Sequence, residues 1–303
     1  VFANMLWAGV ADCESTVLPM RERVACDGDQ LARCLAAAAP QGVQVHVWKV
    51  CWNLAGAPPA FLAALKSAGR CQVDRSGATR EWLCPSREEN FALERDALLE
   101  VVRNYAVAGI HLDYVRYPDA ASCFCGACRA GFEKRIGAKT AAWPGDVLEG
   151  KLRASFRQYR RDTITRLVRS VATQARALRP GIKISAAVFP DGGESREGIA
   201  QDWRYWVSEG LLDSVCPMNY TPDRARLELD VRRQLAWTGT KAQVVPGLGP
   251  SVCSEELTPE RLLWMLDDVR RLGAAGFALF ELDHALLEEY LPLLAAGRAA
   301  PAR

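Results

Sequence analysis

The stretch Ala108-Gly-Ile-His-Leu-Asp-Tyr-Val-Arg-Tyr-Pro118 combines a short apolar run, a carboxylate and a proline. Its Ile, Leu and Val residues favour a β-strand, and Pro118 cannot continue a hydrogen-bonded ladder. We expect Gly109 to end the helix that precedes this strand. Asp113 then lies near the carboxyl end of the strand, where parallel α/β proteins bind ligands and carry out chemistry.

Outward from this stretch, short apolar segments alternate with amphipathic segments, which predicts strand–helix repeats. The predicted strands are 1–7, 43–52, 109–117, 182–189, 214–220, 243–248 and 275–281. The predicted helices are 28–40, 58–69, 87–107, 150–178, 200–210, 224–237, 259–273 and 284–295. Right-handed crossovers between such strands give a parallel sheet, either doubly wound or closed into a barrel.

Several helix boundaries carry their own signals. Ser86-Arg-Glu-Glu89 has the pattern of a capping box, and Thr258-Pro259 places a cap before a proline at the first helical position. Gly210 and Gly273 lie where two of the predicted helices should end. These signals support the α/β alternation.

The fold class that fits best is α/β, a (β/α)8 TIM-type barrel. No glycine-rich phosphate fingerprint follows any strand, which disfavours a doubly wound nucleotide-binding fold. The segment 1–7 already has a strand pattern, so we expect the first β/α unit to be missing from the N-terminus. One barrel domain would cover 1–298, with an insert at 117–150 over its mouth and a tail at 299–303.

Composition excludes several classes of protein. The chain has 303 residues, is 50% hydrophobic and carries a formal net charge of +2. It has no basic run typical of nucleic-acid binding and no apolar run long enough to cross a bilayer. We therefore expect a globular protein without a nucleic-acid partner, a membrane span or an organic cofactor, and the sequence leaves its oligomeric state open.

The residues that follow the predicted strands suit carbohydrate chemistry. Aromatic side chains stack on sugar rings, Asn and Arg bind hydroxyls, and cleavage of a glycosidic bond needs two carboxyl groups in unlike environments. The predicted catalytic residues are Asp113 with Glu281 as its partner, and Asp191 in reserve. The predicted substrate-binding residues are Trp7, Trp48, Trp52, Asn53, Tyr114, Arg116, Asn219 and Tyr220.

Each acid also has a structural interpretation. Asp113 could be a structural carboxylate neutralised by Arg116, since ion-pair networks also collect at strand ends. Glu281 could stabilise the start of the final helix. Asp191 lies in a Pro-Asp-Gly-Gly sequence, which would form a turn whatever its function.

Four other conspicuous side chains are expected to be structural. His46 and His111 lie inside predicted strands, where a hydrogen-bonded histidine is commoner than a catalytic one. Trp203 and Trp206 lie three residues apart on a predicted helix and are expected in the core. A metal-dependent hydrolase would need His and Asp ligands at strand ends, and three histidines in all disfavour it.

The cysteines predict a metal site. Eleven cysteines cannot all pair within one chain. Cys123-Phe-Cys125-Gly-Ala-Cys128 supplies three thiols at a spacing that suits tetrahedral zinc, and Cys84, in the loop before the helix that leads to the Asp113 strand, is the expected fourth ligand. Free thiols or a disulfide are the alternative. The remaining cysteines are scattered and expected to be inert: Cys13, Cys26, Cys34, Cys51, Cys71, Cys216 and Cys253.

The segment Gly109–Pro118 resembles the signature of the glycosyl-hydrolase-like 10 family, a group of bacterial glycoside hydrolases. Other blocks agree and together span nearly the whole chain: Asn4-Met-Leu-Trp7, Trp82-Leu-Cys-Pro-Ser86, Asp202-Trp-Arg-Tyr-Trp206, Gly210-Leu-Leu-Asp213 and Cys216-Pro-Met-Asn-Tyr220. In that family a strand and a helix precede the first of these blocks. The resemblance implies a (β/α) barrel, hydrolysis of glycosidic bonds in an oligo- or polysaccharide, and a catalytic role for Asp113.

The resemblance has two further consequences. Members of the family are often exported, so a periplasmic or extracellular location is expected. The Cys123, Cys125 and Cys128 cluster is similar to the zinc cluster of the trimeric β-galactosidases, which also takes one cysteine from far upstream. The alternative to an enzyme is a barrel that binds glycan without cleaving it.

Overall fold

The computed structural model describes residues 1–253 and 257–299, with side chains described up to residue 296. The chain divides into two compact units. Unit 1 comprises Val1–Ser185 and Gly193–Asp202, and unit 2 comprises Ala186–Gly192 and the chain from Trp203 onward. Whether the chain forms one barrel domain over 1–298 stays a prediction, and of the predicted tail 299–303 only residue 299 is described.

Unit 1 is built around parallel strands. Its strands are β1 (Phe2–Trp7), β2 (Val10–Ala11), β3 (His46–Val50), β4 (Cys71–Val73), β5 (Thr79–Leu83), β6 (Gly109–Asp113) and the first half of β7 (Lys183–Val188). The order in the main sheet is β2-β1-β3-β6-β7, in which β1, β3 and β6 are parallel and β2 is antiparallel to β1. The antiparallel hairpin of β4 and β5 was not predicted from the sequence.

The helices of unit 1 are α1 (Glu22–Asp27), α2 (Gln30–Ala38), α3 (Pro59–Ser67), α4 (Glu88–Asn104), α5 (Gly126–Ile136), α6 (Gly145–Leu148), α7 (Arg153–Leu178) and α8 (Glu194–Gly198), with a 3-10 turn at Ala39–Gln41. Four of them, α2, α3, α4 and α7, match predicted helices, whereas α1, α5, α6 and α8 were not predicted. The long helices α4 and α7 pack against each other. Their apolar faces are buried at Leu98, Leu99, Ile164 and Val168.

Unit 2 repeats the strand–helix alternation. It contains the second half of β7, then α9 (Trp203–Ser208), β8 (Ser214–Pro217), α10 (Arg224–Thr238), β9 (Gln243–Val244), β10 (Gly247–Leu248), α11 (Pro259–Arg271), β11 (Ala278–Leu279), a π-helical turn (Leu286–Tyr290) and α12 (Leu291–Ala299). Strand β8 lies between β7 and β9, and β10 pairs in parallel with β11. The hydrophobic core lies between α10, α11 and the final helical segment and includes Leu227, Val231, Leu262 and Leu286.

Strand β6 is buried along its whole length, which explains its sequence. All five of its residues are buried, so both faces must be apolar or hydrogen-bonded. Gly109 does not end the preceding helix, which stops at Asn104, but begins the strand. A Cβ atom there would lie 2.3 Å from His46 Nδ1 and 2.6 Å from the Lys183 carbonyl oxygen. Only glycine allows the neighbouring strands to approach so closely.

Of the five predicted helix boundaries, three are confirmed. The Thr258 side chain accepts the Arg261 backbone N–H and caps α11, and Gly210 and Gly273 have positive φ after α9 and α11. The capping box at Ser86 was wrong, since α4 begins without a side-chain cap. Ser86 instead accepts hydrogen bonds from the Tyr159 hydroxyl and the Cys128 thiol.

The insert 117–150 has its own small core, although its sequence predicted too little periodicity for one. Phe124, Phe132 and Val147 are buried against Phe156 of α7, and Trp143 packs beside them. Three aromatic side chains of the insert, packed against Phe156 of α7, bury enough apolar area to order it. Among the described residues no helix combines the length and apolar character needed to cross a membrane.

Candidate active site

Asp113 is the last residue of β6 and is buried, with 6% of its surface exposed. The Trp48 indole Nε1 donates to its Oδ2 over 3.1 Å, and the Tyr114 backbone N–H donates to its Oδ1 over 2.7 Å. Trp48 lies on β3, which pairs with β6. The carboxyl group is therefore held in one orientation at the carboxyl end of a parallel strand.

Burial raises the pKa of Asp113 to about 6, and it outweighs the opposing effects of the Tyr114 N–H, the Arg116 charge and the Trp48 indole. A carboxylate neutralised by Arg116 would have a depressed pKa. Because burial outweighs the Arg116 charge, neutralisation by Arg116 does not account for this group by itself, and the catalytic role of Asp113 stays a prediction. A carboxyl group that titrates near neutrality can hold a proton and deliver it to a leaving group.

The raised pKa has a consequence for stability. The folded protein holds the Asp113 proton more tightly than the unfolded chain, so stability contributed below pH ~4 is lost as pH rises through about 6. We expect Asp113→Asn to gain stability relative to wild type by about 3 kcal/mol between pH 4 and pH 7. Urea unfolding at several pH values measures this difference. The exposed Asp27 at the end of α1 supplies a matched control, Asp27→Asn.

An aromatic and cationic stack lies beside Asp113. The Arg116 guanidinium lies 4.6 Å from the Tyr114 ring centroid and 5.4 Å from that of Trp82, and the two rings are 5.6 Å apart. All three side chains are partly exposed. Trp82 comes from the β4–β5 hairpin and was not among the predicted site residues. Its only sequence signal was its place in the block Trp82–Ser86.

The other predicted residues of unit 1 divide into three kinds. Trp7 ends β1 with 44% of its surface exposed, and its Nε1 donates to the Ala55 carbonyl over 3.1 Å. Asn53 is partly exposed, but its Oδ1 already accepts the Ala55 backbone N–H. Trp52 is only 1% exposed, so the prediction that it offers a stacking face was wrong. The chain turns with positive φ at Trp52, which directs the indole into the core.

In unit 2, Asn219 and Tyr220 follow β8 as predicted. Asn219 is buried and exchanges two hydrogen bonds with the Gln234 amide, at 3.0 and 2.8 Å. Each polar atom of its side chain thus makes one of its two possible hydrogen bonds, and Asn219 is only 2% exposed, so its role in binding sugar hydroxyls stays a prediction. Tyr220 is partly exposed and stacks on Phe280 with ring centroids 5.6 Å apart.

The candidate partners of Asp113 both belong to unit 2. Glu281 is exposed, and it does not cap the final helical segment. Asp283 does so instead, since its Oδ1 accepts the Leu286 backbone N–H over 2.8 Å. Asp191 lies in the bend after β7 and is partly exposed. Both Glu281 and Asp191 stay predictions as the second catalytic carboxylate.

The four predicted metal ligands do come together. The Sγ atoms of Cys84, Cys123, Cys125 and Cys128 lie within 4.8 Å of one another, and all four residues are buried. Cys84 Sγ is 3.5 Å from the Sγ atoms of Cys125 and Cys128. A disulfide requires about 2.05 Å, whereas zinc with bonds of about 2.3 Å gives a tetrahedron with edges of about 3.8 Å. The cluster can therefore hold a metal ion.

The protein around the cluster supports it from several directions. The Val73 backbone N–H donates to Cys123 Sγ over 3.3 Å, and the Asn90 side chain donates to the Cys84 carbonyl over 3.0 Å. The Arg160 guanidinium is buried and donates to the Ser122 carbonyl. Of the cysteines expected to be inert, Cys13, Cys26, Cys34, Cys51 and Cys71 are free thiols.

Three of the four predicted structural side chains lie in the interior, whereas His46 is partly exposed and its Nδ1 has no hydrogen-bond partner in the described part of the chain. Trp203 and Trp206 are fully buried, and His111 Nδ1 lies 2.8 Å from the Ser185 hydroxyl. One further buried group was not revealed by the sequence. Lys49 and Glu94 form a buried ion pair of 3.1 Å between β3 and α4. They are far apart in sequence, and no local pattern could have paired them.

The family model described as glycosyl hydrolase-like 10 matches residues 9–247. The chain belongs to this family. A relative from Bacillus subtilis (strain 168), glycosyl hydrolase YngK, is 24% identical over 136 residues, which cover 40% of this chain and 24% of that protein. The match thus spans about a quarter of the length of this curated relative.

Several solved glycoside hydrolase structures share the fold. The glycoside hydrolase domain of PgaB (BpsB) from Bordetella bronchiseptica has a TM-score of 0.69 at 13% identity, over 95% of this chain and 82% of that one. Alpha-L-fucosidase isoenzyme 2 from Paenibacillus thiaminolyticus has a TM-score of 0.63 at 17% identity, over 99% of this chain and 43% of that one. Beta-galactosidase from Bacillus circulans sp. alkalophilus has a TM-score of 0.60 at 14% identity, over 93% of this chain and 51% of that one. The chain therefore has an α/β fold of the TIM-barrel type, whereas a closed eight-stranded ring stays a prediction.

Proposed function

We propose that the chain is the catalytic part of a glycoside hydrolase that cleaves glycosidic bonds in an oligo- or polysaccharide. The observation that supports this proposal most strongly is Asp113, a buried carboxyl group at the end of β6 whose pKa is raised to about 6. Its indole and backbone hydrogen bonds fix the carboxyl orientation. In this role Asp113 protonates the oxygen of the leaving sugar as the glycosidic bond breaks.

Family membership supports the same proposal, and so do the aromatic side chains around Asp113. Glu281 is the proposed second carboxylate, with Asp191 in reserve. The partly exposed Trp82 and Tyr114 rings offer apolar faces to a pyranose ring, while Arg116 offers donors to hydroxyls. A glycan is therefore the expected partner.

A hydrolysis screen tests the proposal directly. Purified protein is incubated with aryl glycosides and bacterial polysaccharides, and released reducing ends are measured against the Asp113→Asn protein as a blank. Release by wild type alone supports the proposal. Binding of a glycan without any release favours the alternative, a barrel that binds glycan and does not cleave it.

Trp82 provides a second test of the same site. We expect Trp82→Ala to raise KM for the identified glycan by about tenfold, because a stacking face and a support of Arg116 are lost. Trp82→Phe should recover most of the loss. Trp264, 54% exposed on α11, is the matched control, and an equal KM rise in Trp264→Ala would contradict a specific role for Trp82.

We also propose that the four cysteines hold a structural zinc ion. Four thiolates complete a tetrahedral shell and leave no position for substrate, so the ion would stabilise the fold and take no part in the reaction. The ligands tie two segments together, because Cys84 follows the β4–β5 hairpin and the other three follow β6. Trp82 is only two residues before Cys84, so the ion would also fix the position of the stack beside Asp113.

A further inference from the structure

A cavity in unit 1 lies outside the residues that the proposed mechanism uses. It has a volume of about 380 Å³ and is lined by Asn4, Trp7, Asp12, Arg21 and Arg23. Asn4 and Trp7 come from β1, Asp12 follows β2, and the two arginines lie at the start of α1. Three separate segments of the chain thus bring polar and aromatic side chains to one place.

The charges in this cavity do not balance. Asp12 is buried, with 5% of its side chain exposed, and lies 2.6 Å from Arg23 Nε and 3.4 Å from Arg21 Nε. One carboxylate therefore faces two guanidinium groups. Arg23 donates to Asp12 through Nε, Arg21 makes only the 3.4 Å ion pair with it, and within residues 1–253 and 257–299 no hydrogen bond engages the Nη groups of either arginine. The site keeps a net positive charge and several donors in fork geometry.

The neutral side chains of the cavity are suited to a sugar ring. Asn4 Oδ1 is buried and lacks a hydrogen-bond partner in the described part of the chain, so it can accept from a ligand hydroxyl. The Trp7 ring is 44% exposed, and its bond to the Ala55 carbonyl holds the ring in place. An exposed, immobilised indole loses little conformational entropy when a sugar stacks on it.

The cavity and Asp113 both lie at the edge of the sheet formed by the carboxyl ends of the parallel strands. Trp7 is the last residue of β1 and Asp113 the last residue of β6, and β3 lies between the two strands. Two strand spacings amount to about 10 Å. Asn4 is paired with Trp48, the residue that donates to Asp113. A glycan held at Asp113 can therefore extend into the cavity.

We infer that this cavity is a subsite for a sugar residue that carries an anionic group. The Arg21 and Arg23 guanidinium groups bind the anion, Trp7 stacks on the ring, and Asn4 accepts a hydroxyl. Carboxylate and sulfate groups both match the fork of an arginine. The inference rests on the proposed function, because it assumes that the glycan bound at Asp113 also reaches this site.

Binding measurements with an inactive protein test the inference without interference from hydrolysis. Titration calorimetry on Asp113→Asn uses oligogalacturonides, sulfated chondroitin oligosaccharides, and neutral cello- and chito-oligosaccharides of matched length. We expect one anionic series to bind at least about tenfold more tightly than the neutral series, and to weaken as salt is added. The carboxylated and sulfated series distinguish the two kinds of anion.

Arg21→Gln, made in the same background, isolates the anion contact. This change leaves Arg23 paired with the buried Asp12, so the fold is retained, and affinity for the anionic series should fall about tenfold. Arg33→Gln is the control with the same loss of charge, because Arg33 is exposed on α2 and its side chain donates to the Asp27 carbonyl, away from the cavity lining. Its affinity should be unchanged.

The results separate this inference from the proposed function. Equal binding of anionic and neutral series, unchanged affinity in Arg21→Gln, or no binding of any anionic series overturns the subsite. If wild type hydrolyses a neutral glycan and Arg21→Gln hydrolyses it equally well, the proposed function stands and the subsite is refuted. If an anionic glycan binds in a way that depends on Arg21 but wild type does not cleave it, the subsite stands and the proposed function is refuted.

Discussion

Asp113→Asn is expected to lower kcat by about 10²–10⁴-fold on the glycan found by screening, because the amide cannot deliver a proton to the leaving sugar. The variant should remain folded, since Asn can keep one of the two hydrogen bonds made with Trp48 and the Tyr114 N–H. Steady-state kinetics with wild type at matched concentration, together with circular dichroism, measure both effects. Full activity in the variant would end the catalytic role of Asp113.

The pH profile provides an independent check on the same group. A general acid acts in its protonated form, so kcat/KM should fall as pH rises above about 6, where Asp113 loses its proton. Glu281→Gln and Asp191→Asn, measured in parallel, identify the partner. The variant with a loss of kcat similar to that of Asp113→Asn carries the second carboxylate.

Cys84→Ser is expected to lose the metal and to lower the unfolding midpoint by about 10 °C or more. A structural zinc ion contributes several kcal/mol to folding, and each kcal/mol corresponds to about 2–4 °C in a domain of this size class. Elemental analysis should find one zinc per wild-type chain and none in the variant. Differential scanning calorimetry measures the midpoint.

Cys26→Ser is the matched control for the metal site, since Cys26 is an exposed free thiol on α1. It should keep its zinc and its midpoint. A zinc-free wild-type protein in which the four clustered cysteines titrate as ordinary thiols would refute the metal site. A chelator that removes zinc from wild type should lower its midpoint as far as Cys84→Ser does.

Local sequence patterns were enough to place the main elements. The apolar runs and amphipathic repeats predicted β1, β3, β6, β7 and β8 and the helices between them, with ends displaced by a few residues. Asp113 was placed at a strand end because an apolar run stops there. Cys123, Cys125 and Cys128 were predicted as ligands because they lie within the short segment 123–128, so their spacing alone brings them together.

The tertiary structure decided which of these side chains face a ligand. Trp52 and Asn219 follow strands in the predicted way, yet the first is turned into the core and the second is bound by Gln234 of α10. Trp82 reaches Arg116 only because the β4–β5 hairpin folds back beside β6. No local pattern predicts such pairs, because they depend on contacts between residues distant in sequence.

The sequence by itself determined that this protein is an α/β member of a glycoside hydrolase-like family with an acid at the end of β6 and three clustered thiols. Only the tertiary structure decided that the acid is buried deeply enough for its pKa to rise to about 6. It also confirmed that Cys84, the expected fourth ligand, joins the other thiols, and it left Arg21 and Arg23 facing a single carboxylate. Burial and charge balance depend on everything that surrounds a group, whereas a strand or a short motif is encoded by its own residues.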